Sequence, residues 1–270
     1  MFTTKIDPRH YQLMVQSTLL AWGIGVLAFP VTWQQIAAVI ASALATQVVF
    51  CRLFHLPAVL LSTLNTSLSI LLLLHSQTAV WLALAAALSI ASKFLLRLDG
   101  KHVFNPSNFG IVITLLLTNA VWAAPGQWGH GLWLFLFVAG SGLIVMVGWQ
   151  VMLASASFLL VYAGLLLLKA SWLGDPWAIP LHQLQNGSLL LFSFFMLSDP
   201  KTTPAHPLAR VLFGTCVAVL AAWLQFRQYL PNAFLYALLL LSPSVLLFNR
   251  WLHFHTFEWS KRTTKSEGIR

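Results

Sequence analysis

The chain has 270 residues, of which 59% are hydrophobic and 8% charged, with twelve Trp and a mean hydropathy of +0.80. That leaves too little polar surface to cover one soluble core, so a soluble domain is excluded and an all-α polytopic protein of the lipid bilayer is expected. Fifteen Lys and Arg against six Asp and Glu give a net charge of +9. The cations are spread over loops rather than clustered among aromatic platforms, which argues for membrane topology and against nucleic acid. Cys51 and Cys216 both fall in apolar runs, where a thiol behaves as a small hydrophobe, so neither a disulfide framework nor a metal cluster is expected. Lys5, Asp7, Arg9, His10 and Tyr11 precede the first apolar run without a small-residue cleavage pattern, so no removable signal peptide is read.

In chain order the apolar runs number about ten, near 13–30, 34–52, 57–75, 78–97, 105–123, 131–149, 151–169, 184–198, 207–226 and 230–249. The third is rich in hydroxyls and amide (Ser62, Thr63, Asn65, Thr66, Ser67, Ser69). The eighth is short and opens on Gln183, Gln185, Asn186, Gly187 and Ser188. Both are candidates for broken or re-entrant helices of the kind that line sites near the bilayer midplane. The alternative for segment three is that its hydroxyls bond back to their own helix.

The Lys and Arg count sets orientation. With alternating segments, Lys5, Arg9, Arg52, Lys93, Arg97, Lys101, Lys201, Arg210, Arg250, Lys261, Arg262, Lys265 and Arg270 fall on one side, and only Lys169 and Arg227 on the other. The chain is thus expected to cross a bacterial-type inner membrane with both termini cytoplasmic. Trp33, Trp122, Trp128, Trp149, Trp172, Trp177 and Trp259 stand at run ends, as interfacial anchors do. Splitting the segments five plus five gives a single membrane domain of two inverted repeats, 12–123 and 131–249, followed by a tail, 250–270. Asn65-Thr66-Ser67-Leu68 then faces Asn186-Gly187-Ser188-Leu189, and Pro106-Ser107-Asn108-Phe109 faces Pro231-Asn232-Ala233-Phe234.

Two polar islands stand out, 98–110 and 196–204, each pairing an Asn-Pro or Asp-Pro step with a nearby Lys. Polar backbone at membrane depth is tolerated only where protein buries it or a cavity takes it, so the islands are expected to share one site on the cytoplasmic half. Asn105 and Asp199 have a second reading as helix N-caps ahead of Pro106 and Pro200. Lys101 and Lys201 have one as plain topology charges. The phenylalanines of the islands have one as packing. No nucleophile-and-base set, paired carboxylates, phosphate loop or haem-type His pair is found.

The run Lys101-His102-Val103-Phe104-Asn105-Pro106-Ser107-Asn108-Phe109-Gly110, followed by Gly187-Ser188 through Phe194-Phe195-Met196-Leu197-Ser198-Asp199-Pro200, carries a resemblance. It resembles the signatures of the RnfD/NqrB family, the membrane subunits of the Rnf and sodium-pumping NADH:quinone oxidoreductase electron-transport complexes. The resemblance implies a fold like that of urea transporters, a membrane-embedded flavin and redox partner subunits. It marks Lys101, Phe104, Asn105, Asn108, Asn186, Ser188, Asp199, Lys201 and Thr202 as candidate cofactor-binding residues. The family's Ser/Thr-Gly-Ala-Thr sequence for covalent FMN attachment occurs nowhere in this chain. The expectation is therefore a non-covalent flavin, FMN or riboflavin, in an electron-transport subunit. The alternative is a transporter of a flavin or another small solute on the same scaffold.

Overall fold

A computed structural model describes residues 7–57, 59–98, 101–123, 140 and 149–251. Helices α1 (Pro8–Gly25), α2 (Trp33–Leu53), α3 (Leu60–Leu73), α4 (Ala79–Leu95) and α5 (Pro106–Leu117) form the first half. The second contains α6 (Trp149–Leu173), α7 (Ala178–Leu184), α8 (Gly187–Leu191) running into a π-helical turn (Phe192–Met196), α9 (Pro207–Arg227), α10 (Ala233–Leu241) and α11 (Ser244–Trp251). Four two-residue strands tie loops together. β1 (His75–Ser76) pairs antiparallel with β4 (Val121–Trp122), and β2 (Arg97–Leu98) pairs with β3 (Lys101–His102).

Local chemistry explains the helix starts. Asp7 accepts from the Arg9 amide ahead of Pro8, and Thr32 and Gln35 form a reciprocal capping box. Asn105 accepts from the Asn108 amide at 3.2 Å ahead of Pro106. His206 caps α9 in the same way ahead of Pro207.

Two segments occupy the centre. Residues 65–76 and 187–198 are buried on every side, while α2, α6 and α9 each keep an exposed apolar face. A helix apolar all round belongs inside a larger structure, so the other helices wrap these two. α1 and α2 pack on α3, and α4 lies between α2 and α5. In the second half α9 lies between α6 and α10, α6 packs on the π turn, and α5 meets α10 across the halves.

Segment three is not broken. Thr63, Thr66, Ser67 and Ser69 each donate back to the carbonyl four residues earlier, leaving one helix. At roughly 1.5 Å per residue it spans about 21 Å, short of a hydrocarbon core of about 30 Å. Segment eight does divide. α7 ends at Leu184, Asn186 caps α8 through the Ser188 amide, and the π turn closes with Leu197 N–H on Phe192 C=O at 2.9 Å. The widened turn leaves carbonyls for other elements, and the Ser155 hydroxyl donates to Ser193 C=O.

The expected run 230–249 is also two helices, bent by 47° between Leu241 and Ser244. Pro243 has no N–H for the ladder, and Ser242 Oγ instead bonds Leu238 C=O at 2.6 Å. Among the described residues three helices are long and apolar enough to cross a membrane: α2, most of α6, and α9. Counting the bent pair as one span makes four. α3, α4, α5 and the α8–π segment are shorter apolar helices. The expected segment near 131–149 lies almost wholly outside the described residues.

Candidate functional site

A cavity of about 110 Å³ opens where the start of α1, the first turns of α3, the end of α4, the start of α5 and the chain after the π turn converge. Its lining includes Arg9, Ser62, Asn65, Lys93, Asn105 and Asp199. The two polar islands meet here. Asn105 Nδ2 donates to Met196 C=O at 3.3 Å and lies 3.5 Å from Asp199 Oδ2. The same amide caps α5 with its oxygen, so one side chain starts a helix and also fixes the exit of segment eight.

Asp199 is not the cap of a following helix. Residues 199–203 form turns, with Asp199 Oδ1 accepting from Lys201 N–H at 3.0 Å and Asp199 C=O accepting from Thr202 N–H and Thr203 N–H, each at 3.1 Å. Helix α9 starts eight positions later because His206-Pro207 supplies the cap and first-turn proline. Burial raises the Asp199 carboxyl above its ordinary range, opposed by the Lys201 amide and the Lys201 and Lys93 charges. Burial lowers the Lys201 ammonium, with Asp199 pulling the other way.

Lys93, in the last turn of α4, is only 7% exposed. Its Nζ donates to Ser62 C=O and Ser62 Oγ, both at 3.2 Å. Among the described residues the one salt bridge is Arg9 with Asp7, so Lys93 has no carboxylate in bridging contact. Beside it His102 Nδ1 donates to Lys93 C=O at 3.0 Å, which assigns the proton to Nδ1. Asn65 Nδ2 donates to Arg9 C=O and Gln12 Oε1, while its Oδ1 is buried without a partner.

Of the nine residues marked from sequence, Asn105, Asp199 and Lys201 line this chamber. Lys101 sits half-buried on β3, and Phe104 packs on Phe109 with ring centroids 5.3 Å apart. Asn108 reaches α10 instead, donating to Leu235 C=O at 3.0 Å. Thr202 is buried in the turn behind Asp199, and Ser188 is buried in the first turn of α8. Asn186 lines a second, larger pocket of about 340 Å³ with Tyr162, Gln183, Gln225, Asn232 and Phe234. Sequence reasoning missed Arg9, Ser62, Asn65 and Lys93 as site residues. The available signal was Lys93 itself, an ionisable residue set within an apolar run.

The two pockets lie at opposite ends of segment eight, one after Ser198 and the other at Asn186. Between them α3 and the π turn close on a void of about 10 Å³ lined by Gln16, Ser69, Leu72, Leu73, Phe195 and Met196, among others.

A flavin ring is tested by size and lining. The charged chamber is well under the roughly 300 Å³ at which pockets for molecules of that size begin, and Phe195 is its one wall aromatic apart from His102. It does not fit an isoalloxazine. The larger pocket does, with Tyr162, Tyr229 and Phe234 for a flat ring and four amide side chains for a hydrogen-bonding edge.

This fold and these cavities define a helical membrane protein of several spans whose polar groups are gathered inside it. The chain matches the NQR2, RnfD, RnfE family over residues 114–258, more than half its length, and belongs to that family. Relatives include the D subunit of the ion-translocating oxidoreductase complex of Shewanella pealeana, 27% identical over 165 residues, which are 55% of this chain and 45% of that protein. The D subunit from Mannheimia succiniciproducens is 32% identical over 82 residues, 30% of this chain and 23% of its own. That from Shewanella loihica is 29% identical over 137 residues, 48% of this chain and 37% of its own. The chain thus spans less than half the length of these relatives.

Proposed function

We propose that this chain is a membrane-embedded subunit of an electron-transport assembly, holding a flavin, FMN or riboflavin, without a covalent bond and working with redox partner subunits. Family membership supports the role. The observation that carries the cofactor is the larger pocket, where aromatic faces and the amides of Gln183, Asn186, Gln225 and Asn232 surround a space of flavin size. A bound flavin supplies one- and two-electron transfer. The chain's own part is to grip the ring edge with amides and to exclude water with Tyr162 and Phe234. The topology proposed with it is ten crossings in two inverted repeats, both termini cytoplasmic, in a bacterial-type inner membrane. Its support is the matched packing of α2–α4–α5 and α6–α9–α10 and the two central segments at equivalent places.

The detergent-purified protein should show flavin absorption that is lost on denaturation and gel filtration. No fluorescent flavin band should survive a denaturing gel even beside an active flavin transferase, because the chain has no attachment sequence. A colourless protein that takes up no added flavin would overturn the cofactor reading. The second reading is a solute transporter, favoured by pockets at opposite ends with a sealed centre between them. Uptake of labelled riboflavin into proteoliposomes, by a protein that retains none, would select it.

A further inference from the structure

The charged chamber holds more positive than negative charge and has no flavin-sized space, so its ligand is a separate question from the electron-transport reading and does not rest on it. Lys93 Nζ uses two donors, both on Ser62, and has one left. Lys201 contributes a second ammonium, for which no hydrogen bond to protein is found among the described residues, while Arg9 is occupied by Asp7. Against these stand Asp199 and the unpartnered Asn65 Oδ1, on a side chain only 6% exposed. The hydroxyls of Thr66 and Ser198 spend their protons on helix carbonyls and so offer lone pairs to the cavity, while Ser69 Oγ already accepts from Gln16. The walls thus ask for an anion that accepts from two ammoniums and also gives a proton-bearing oxygen to Asp199 or Asn65. The volume, about 110 Å³, takes a few water molecules or one compact ion.

We propose that this chamber binds a protonated tetrahedral phosphoryl group, hydrogen phosphate or the monoanion of a phosphomonoester. Lys93 and Lys201 pair with its anionic oxygens, and its P–OH donates to Asp199 or Asn65. Sulfate has the same shape but no proton at neutral pH. It sets its lone pairs against those of Asp199 and Asn65 and leaves the Asn65 carbonyl without a donor.

The test is calorimetric titration of the full chain in detergent with sodium phosphate and with sodium sulfate at pH 7.5. Phosphate should bind saturably, and sulfate about tenfold more weakly or worse, as a site loses when a required hydrogen bond cannot form. Asp199→Asn, which places an amide donor at the wall, should bring sulfate level with phosphate. Lys93→Met should abolish binding of both. Lys201→Met, outside the helices, should weaken both and guards against a fold defect in the first variant. Nanodiscs separate the sources of the group. If phosphatidic acid blocks free phosphate where phosphatidylcholine does not, the group is a lipid headgroup; equal phosphate binding in both makes it free phosphate, and either result keeps the site. Absence of saturable binding by wild type, or sulfate binding as well as phosphate, overturns the proposal.

Discussion

His102 shows how one side chain joins the loop between α4 and α5 to the chamber wall. Its Nδ1–H holds the carbonyl of Lys93, and burial first, then the charges of Lys201, Lys93 and Arg97, lower its pKa to about 4 from an ordinary 6.5. The unfolded ring therefore takes up a proton at a higher pH than the folded one. Stability from this residue is complete above pH 6.5 and is lost as pH falls toward 4. His102→Asn keeps a donor near the Nδ1 position and removes the titration. Thermal unfolding followed by Trp fluorescence should fall more steeply for wild type than for the variant between those limits, and parallel curves would refute the assignment. At this scale Asn105, Asp199 and Lys201 were legible because charge and amide beside proline are conspicuous in an apolar chain. Lys93 was counted only as a topology charge, because a hydropathy edge at residue 97 puts it at the rim, whereas packing against α3 buries it. Asn65 was visible too, but its carbonyl partners come from α1, and no spacing in the sequence links those two helices.

Among the elements, close helix approach is set by glycine at two places. A Cβ on Gly110 of α5 would stand 1.9 Å from Ser89 Oγ and 2.3 Å from Ala85 C=O on α4, and one on Gly214 of α9 would stand 2.2 Å from Ala154 C=O on α6. Since the obstacle is backbone, neither helix yields without separating from its neighbour. Gly110→Ala and Gly214→Ala should each destabilise by about 1–3 kcal/mol in chemical unfolding. Gly164→Ala in α6, with open space around it, should instead be neutral or stabilise by up to about 1 kcal/mol. A second test concerns the π turn. Ser155→Ala leaves Ser193 C=O without its donor from α6, and a loss of about 1–3 kcal/mol is expected. Helix existence was readable from hydropathy in most of the described segments. The bend at Pro243 and the π turn were not, since both depend on where freed carbonyls find partners rather than on composition.

For the whole molecule, one set of hydrogen bonds between distant segments falls into two groups, while Asn108 to Leu235 C=O and Ser155 to Ser193 C=O belong to neither. At one end Lys93 meets Ser62, Asn105 meets the chain before Asp199, and Ala205 N–H meets Asn249. At the other Gln35 meets Ser76, Ser76 meets Ala120, and Asn232 meets Ala123, close to the β1–β4 pair. The first end carries Arg9, Arg52, Arg97 and Lys201, while Lys169, over the ring of Phe226 at 4.1 Å, and Arg227 belong to the second. On the positive-inside tendency, the proposed topology expects the first end to be cytoplasmic. Reporter fusions after Arg52, Lys201 and Arg250 should read cytoplasmic, and fusions after Asp175 and Tyr229 external. Because Asp175 and Lys201 flank segment eight, they decide whether that buried segment crosses or turns back. The same side for both would make it re-entrant and would overturn the ten-crossing topology, while opposite sides place a phosphate-type chamber and a flavin-sized pocket across the membrane from each other.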